Sequence, residues 1–134
     1  MKPFEFQYIK YQGDERGDSY SIPQEAVDFV GTVDEIHVAT ILPGAIRGNH
    51  FHADKREATV LVFSDACRLA WMPLGAAEAT RKDFEGKDAV VFKALPNVIH
   101  AIKNTGGLPL TLVSFSNKRH DPQNPDTFRQ SILK

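Results

Sequence analysis

What most constrains this chain is its punctuation. Short runs that alternate apolar and polar residues, or are largely β-branched, are repeatedly cut off by glycine, proline or asparagine. Alternation with period two gives a strand one face for a core and one for water. Residues 4–11 alternate in this way and stop at a turn containing Gly13 and Gly17. Residues 19–22 read as a short strand, and Pro23 opens a single helical turn to Val27, proline being tolerated at a first helical position. Residues 35–42 alternate until Pro43-Gly44 ends them, and 58–63 form a nearly continuous apolar run, the pattern of a buried strand. Residues 48–52, 67–72, 80–84, 89–92, 100–104 and 110–116 complete a set of about eight to ten strands, which predicts an all-β sandwich or barrel. The polar, proline-containing tail after Asn117 reads as an ordered loop laid over that barrel.

At 134 residues the chain is expected to form one domain. Sixteen lysines and arginines against 17 acids leave a formal charge of -1, without the basic footprint of a general nucleic-acid binder. The single cysteine, Cys67, excludes an intramolecular disulfide and a multi-cysteine zinc ribbon, and reads as a small buried hydrophobe. No apolar run approaches the roughly 18–20 residues of a membrane-spanning helix. The first residues carry an acid at Glu5 and no apolar core segment, so no signal peptide is read there and a cytoplasmic location is expected.

The chemistry concentrates on the histidines. His50 and His52 are two apart, so on a strand both rings project to one side. Glu57 follows across a charged turn, in which Lys55 and Arg56 read as solvated, and His100 opens a later strand. Three imidazoles and a carboxylate suit a divalent cation: zinc first, with iron, manganese or nickel also accommodated. A half-buried polar patch on a strand is the alternative for the His50–His52 pair alone.

The spacing resembles the cupin superfamily, a double-stranded β-helix or jelly-roll barrel. Its first motif reads Gly, five residues, His-x-His, three or four residues, Glu, and Gly44, His50, His52 and Glu57 match it in order. Its second reads Pro-x-Gly, two residues, His, three residues, Asn. Pro96, His100 and Asn104 match, with one residue fewer before the histidine and Val98 in the glycine's place. Ser64 likewise replaces the glycine that closes the first motif. The resemblance implies a single cupin domain over 1–134, with motif 1 at about 44–64, motif 2 at about 96–104 and the polar tail at 117–134. Arg47-Gly48-Asn49-His50-Phe51-His52 and the tail 120–128 (HDPQNPDTF) are more narrowly similar to the C-terminal zinc-bearing cupin domain of capsular polysaccharide enzymes of the CapF type. Asp14-Glu15-Arg16-Gly17 and Arg47-Gly48 are also similar to segments of sugar-nucleotide 3,4-ketoisomerases and 3,5-epimerases.

That resemblance implies a metal-binding epimerase or isomerase of a nucleotide-activated 4-keto sugar in polysaccharide precursor synthesis. A metal on His50, His52, Glu57 and His100 would stabilise the enolate oxygen; a metal-free cupin would use His50 or His52 as the base. Tyr11 and Tyr20 are the candidates to return a proton, with strand packing as the alternative. Arg47 is the candidate for phosphate or sugar hydroxyls, with a solvated surface arginine as the alternative. A metal-dependent dioxygenase and a non-catalytic sugar-binding cupin are the competing functions. The expected partners are a nucleotide sugar and a second copy of the chain, with no nucleic acid and no membrane. The homodimer would form through the outer sheet, with residues 4–11 crossing over. His37 is expected in the core or at the rim, His120 on the surface, Phe51 between the sheets and Asn104 organising a turn.

Overall fold

The computed structural model describes all of residues 1–134. It contains ten strands and one helix: β1 (Phe4–Tyr8), α1 (Gln24–Val30), β2 (Glu35–Ile41), β3 (Ile46–Phe51), β4 (Glu57–Phe63), β5 (Ala66–Pro73), β6 (Thr80–Glu85), β7 (Asp88–Ala94), β8 (Val98–Lys103), β9 (Leu110–Ser116) and β10 (Phe128–Arg129). They form two five-stranded antiparallel sheets, ordered β1-β7-β4-β9-β2 and β10-β3-β8-β5-β6. This is the jelly-roll barrel expected of a cupin. No helix is long and apolar enough to cross a membrane.

The inner faces of the sheets enclose Phe4, Leu61, Phe63, Leu69, Phe92 and Ile102, among other apolar side chains. The outer face of β4 and β7 is covered as well: Ala58, Val60, Ala89 and Val91 pack against Ala26, Phe29 and Val30 of α1. A strand buried on both sides has no reason to alternate, which explains the unbroken apolar run in β4. The helix extends three residues beyond the predicted turn because Phe29 and Val30 are needed for that cover.

Polarity changes along the barrel axis. The inward-facing register of β4, β9 and β2 aligns Leu61, Leu112 and Ala39 in one layer, then Thr59, Ser114 and His37, then Glu57, Ser116 and Glu35. One end is therefore dry and the other polar. Burial of apolar side chains at the first end, at roughly 25 cal/mol per Å², anchors a frame on which polar groups can be held at the second.

Three expectations are corrected. The strand 4–11 ends at Tyr8, and β1 pairs with β7. Residues 19–22 contribute only an isolated bridge, Tyr11 to Tyr20. Tail residues Phe128 and Arg129 add a short strand to β3, and the ring of Phe51 stacks on Phe128, with centroids 5.3 Å apart, instead of packing between the sheets. Cys67 is buried, and burial, with the Asp83 charge second, pushes its thiol up to about 12.

Gly48 turns the histidine strand. The β3–β8 register slips between Gly48 and His50, a bulge in which Gly48 has φ +92° and Asn49 φ +54°. A Cβ on Gly48 would stand 2.6 Å from the His100 carbonyl oxygen. Gly48→Ala is therefore expected to lower stability by about 1–2 kcal/mol through backbone strain alone, and further through the clash. A denaturant midpoint equal to wild type would contradict this account of the bulge.

Candidate functional site

The bulge aims His50 and His52 into the polar end, where β8 supplies His100. The ring centroids of His50 lie 5.0 Å from those of His52 and His100, and the latter two are 5.8 Å apart. One ring nitrogen from each of the three lies within 4.8 Å of the others. Glu57, at the start of β4, joins the cluster from the facing sheet. Its two oxygens stand 3.4 Å from His52 Nε2 and 3.3 Å from His100 Nε2. The same mutual spacing does not extend from Glu57 to His50.

Hydrogen bonding fixes which nitrogen faces inward. His52 Nδ1 lies 2.7 Å from the carbonyl of Asp126, and His100 Nδ1 lies 3.1 Å from the carbonyl of Val98. A carbonyl only accepts, so each Nδ1 carries a hydrogen and each ring turns its Nε2 toward Glu57. Both Nε2 atoms are buried without a hydrogen-bond partner. Two imidazole nitrogens and a carboxylate facing one another are reconciled by positive charge among them, whether ring protons or a cation. The donor set thus fits a cation: nitrogen and oxygen ligands with the tautomers already fixed, the Thr59 hydroxyl alone reaching Glu57, at 3.4 Å.

Burial works against ionisation of Glu57, but the facing His100 and His52 rings outweigh it and hold the carboxyl well below its ordinary range. Burial first, then the neighbouring His100 and His52, pushes His50 down to about 3, so this ring is neutral near pH 7.

The cluster lies in a cavity of about 580 Å³, within the size range of small-molecule sites. Arg47 lines it, with its Nε donating to the Thr40 carbonyl at 2.8 Å. His37 and His120 are exposed side chains on its wall. Tyr11 and Tyr20 do not reach it. They lie edge to face in the loop after β1, and the Tyr11 hydroxyl donates to Asp18. The expectation that either phenol serves this cavity is not met, because the chain leaves the sheet three residues before Tyr11. Asn104 is fully buried and ties a turn, donating to the carbonyls of Ile41 and Leu108 and accepting from the Gly106 N–H.

The tail does more than cover the barrel. The Asp126 carboxylate accepts backbone N–H groups from Ala53, Asp54 and Lys55 at 2.8, 3.1 and 3.0 Å, while its carbonyl orients His52. Asn49, in the bulge, accepts from the N–H groups of Ile132 and Leu133. The tail thereby fixes both ends of the His-x-His segment. Sequence reasoning noticed the 120–128 motif but gave Asp126 no role, because its partners lie some seventy residues away. It also treated Lys55 as solvated, whereas this side chain is buried at 8% exposure and lines the cavity.

With the fold and cavity described, the comparisons place the chain. Its jelly roll is shared with a dTDP sugar isomerase from Desulfovibrio desulfuricans G20, with a TM-score of 0.73, 12% identity, and 96% of this chain and 84% of that one covered. A mutant of the QdtA 3,4-ketoisomerase from Thermoanaerobacterium thermosaccharolyticum, solved with TDP-4-keto-6-deoxyglucose, aligns with a TM-score of 0.70 and 14% identity over 97% and 89% of the two chains. CapF, a capsular polysaccharide assembling protein of Staphylococcus aureus, aligns with a TM-score of 0.64 and 23% identity over 92% of this chain and 34% of that one. These likenesses establish the cupin-type fold. Residues 12–128 match the polysaccharide biosynthesis C-terminal domain, and the chain belongs to that family. A UDP-2-acetamido-2,6-beta-L-arabino-hexul-4-ose reductase of Pseudomonas aeruginosa is 26% identical over 122 residues, which are 85% of this chain and 32% of that protein. The chain thus spans about a third of the length of that relative and of CapF.

Asp126→Ala removes a charged acceptor from three backbone donors and is expected to lower stability by about 1.5–3 kcal/mol. Amide hydrogen exchange at residues 53–55 should accelerate with it. Unchanged protection at those three amides would rule out the latch.

Proposed function

We propose that the protein is an epimerase or isomerase of a nucleotide-activated 4-keto sugar, acting in polysaccharide precursor synthesis with a divalent cation, zinc in the first instance. The observation that carries this reading is the pair of orphaned Nε2 atoms facing Glu57 inside a solvent-connected cavity. Family membership and the sugar-nucleotide enzymes that share the fold supply the substrate class.

In this reading the cluster of His50, His52, Glu57 and His100 is divided between holding a cation and moving a proton. When bound, the ion supplies a Lewis acid that makes the C–H beside the sugar ketone more acidic. His52, Glu57 and His100 hold it, leaving an open position as catalytic zinc sites do. His50 is the ring that Glu57 does not engage and the least buried of the three. Being neutral, it is assigned the proton: its free ring nitrogen accepts hydrogen from the carbon and returns it to the epimerised or neighbouring carbon. Arg47, on the cavity wall, orients phosphate or sugar hydroxyls with its planar fork. The apolar layer of Leu61 and Leu112 beneath the cluster limits water on the far side of the reacting carbon.

The test has two readouts. In deuterium oxide, the wild type with a nucleoside-diphospho-4-keto sugar should incorporate deuterium at the carbon beside the ketone, and His50→Asn should abolish this while retaining metal. By elemental analysis of tag-free protein, His100→Ala should lose metal at least as severely as the roughly 10–100-fold affinity losses seen when outer-shell partners are removed. No exchange in wild type, or an unchanged metal content in the His100 variant, would contradict the proposal.

A further inference from the structure

Lys55 is the one lysine of the chain whose side chain is buried, at 8% exposure, and it lines the histidine cavity. Its ammonium makes no hydrogen bond and no ion pair within the protein. Two acids of the surroundings are otherwise engaged: Asp126 accepts three backbone N–H groups, that of Lys55 among them, and Glu57 faces His52 and His100. Asp54, its neighbour in sequence, is paired with Lys118. The residue is largely buried while its side chain opens on the cavity, and the Asp126 latch holds the 53–55 loop that carries it in place. Around the cavity the fixed cations Arg47, Lys55 and Arg129 outnumber the carboxylates Glu35 and Glu57. An ammonium held there without an internal partner, beside an excess of fixed positive charge, is placed to meet an anion that enters from solution.

We propose that Lys55 is the anion-contacting residue of the cavity, its ammonium pairing with a negatively charged oxygen of the ligand. That oxygen belongs either to the diphosphate or to the sugar ketone as it becomes an enolate. The inference rests on the function proposed above for the ligand's class, but not on turnover.

Lys55→Met keeps the length and removes the charge, and Lys55→Arg keeps the charge. Two measurements are made on each: calorimetric binding of UDP and TDP, and deuterium incorporation into the 4-keto sugar. If the diphosphate is the partner, Lys55→Met weakens nucleoside diphosphate binding at least about tenfold. If the enolate is the partner, that affinity is kept and exchange falls by about 10²–10³-fold. In either case Lys55→Arg restores part of the loss, and the melting temperature of Lys55→Met stays close to that of wild type, since the ammonium makes no bond within the protein that the substitution could remove.

The proposal is overturned if Lys55→Met matches wild type in both measurements, or if wild type neither binds the nucleotides nor exchanges. It also falls if the loss comes with a lower melting temperature that Lys55→Arg does not repair. A wild type that binds but does not exchange, with binding lost in Lys55→Met, keeps Lys55 in this role and removes the epimerase reading instead.

Discussion

Two imidazole nitrogens turned toward one buried carboxylate set the terms for the rest of this structure. Each is committed by a backbone carbonyl behind it, Asp126 for His52 and Val98 for His100, so each ring presents Nε2 and not Nδ1 to Glu57. Unpaired buried polar atoms are rare in folded proteins because they cost free energy. Here two such atoms, on His52 just past β3 and on His100 of β8, are both aimed at Glu57, an arrangement that suits a positive charge between them. His50 adds a third nitrogen close to the other two without sharing the contact to Glu57.

The barrel makes this arrangement tolerable by grading its interior. Leu61, Leu112, Phe63 and Leu110 close one end, and the same strands two residues further on carry Thr59, Ser114, Glu57 and Ser116. Thr59 and Ser114 share a hydrogen bond across β4 and β9 at 2.8 Å, so the transition layer satisfies its own hydroxyls. The polar layer beyond is left for ligands. The tail completes the site from outside, with Asp126 gripping the 53–55 loop and Asn49 gripping residues 132 and 133. Site geometry and chain-end docking are thus mechanically linked.

Much of this was legible in the residues. Alternation located most strands to within a residue or two, and the two-residue spacing of His50 and His52 correctly put both rings on one side. Glu57 and His100 were legible through motif spacing, since nothing local to either one points to the other sheet. What failed did so for identifiable reasons. The alternation of 4–11 continues past the point where the sheet ends, so Tyr11 looked like a barrel residue although its backbone bridges to Tyr20 outside the cavity. Lys55 sits in a run of charges that reads as solvated, and its burial depends on Asp126, a partner remote in sequence. Phe51 alternates with the histidines as expected, but its outward face is covered by Phe128 of the tail and not by a second sheet.

The central claim is that these side chains enclose one cation, and anomalous diffraction from zinc-equilibrated crystals of the full chain tests it most directly. The account predicts a single strong peak in the cavity, within coordination distance of His52 Nε2, His100 Nε2 and a Glu57 oxygen. A cavity without such a peak, with the two imidazoles hydrogen-bonded to Glu57 as a protonated cluster, would contradict it.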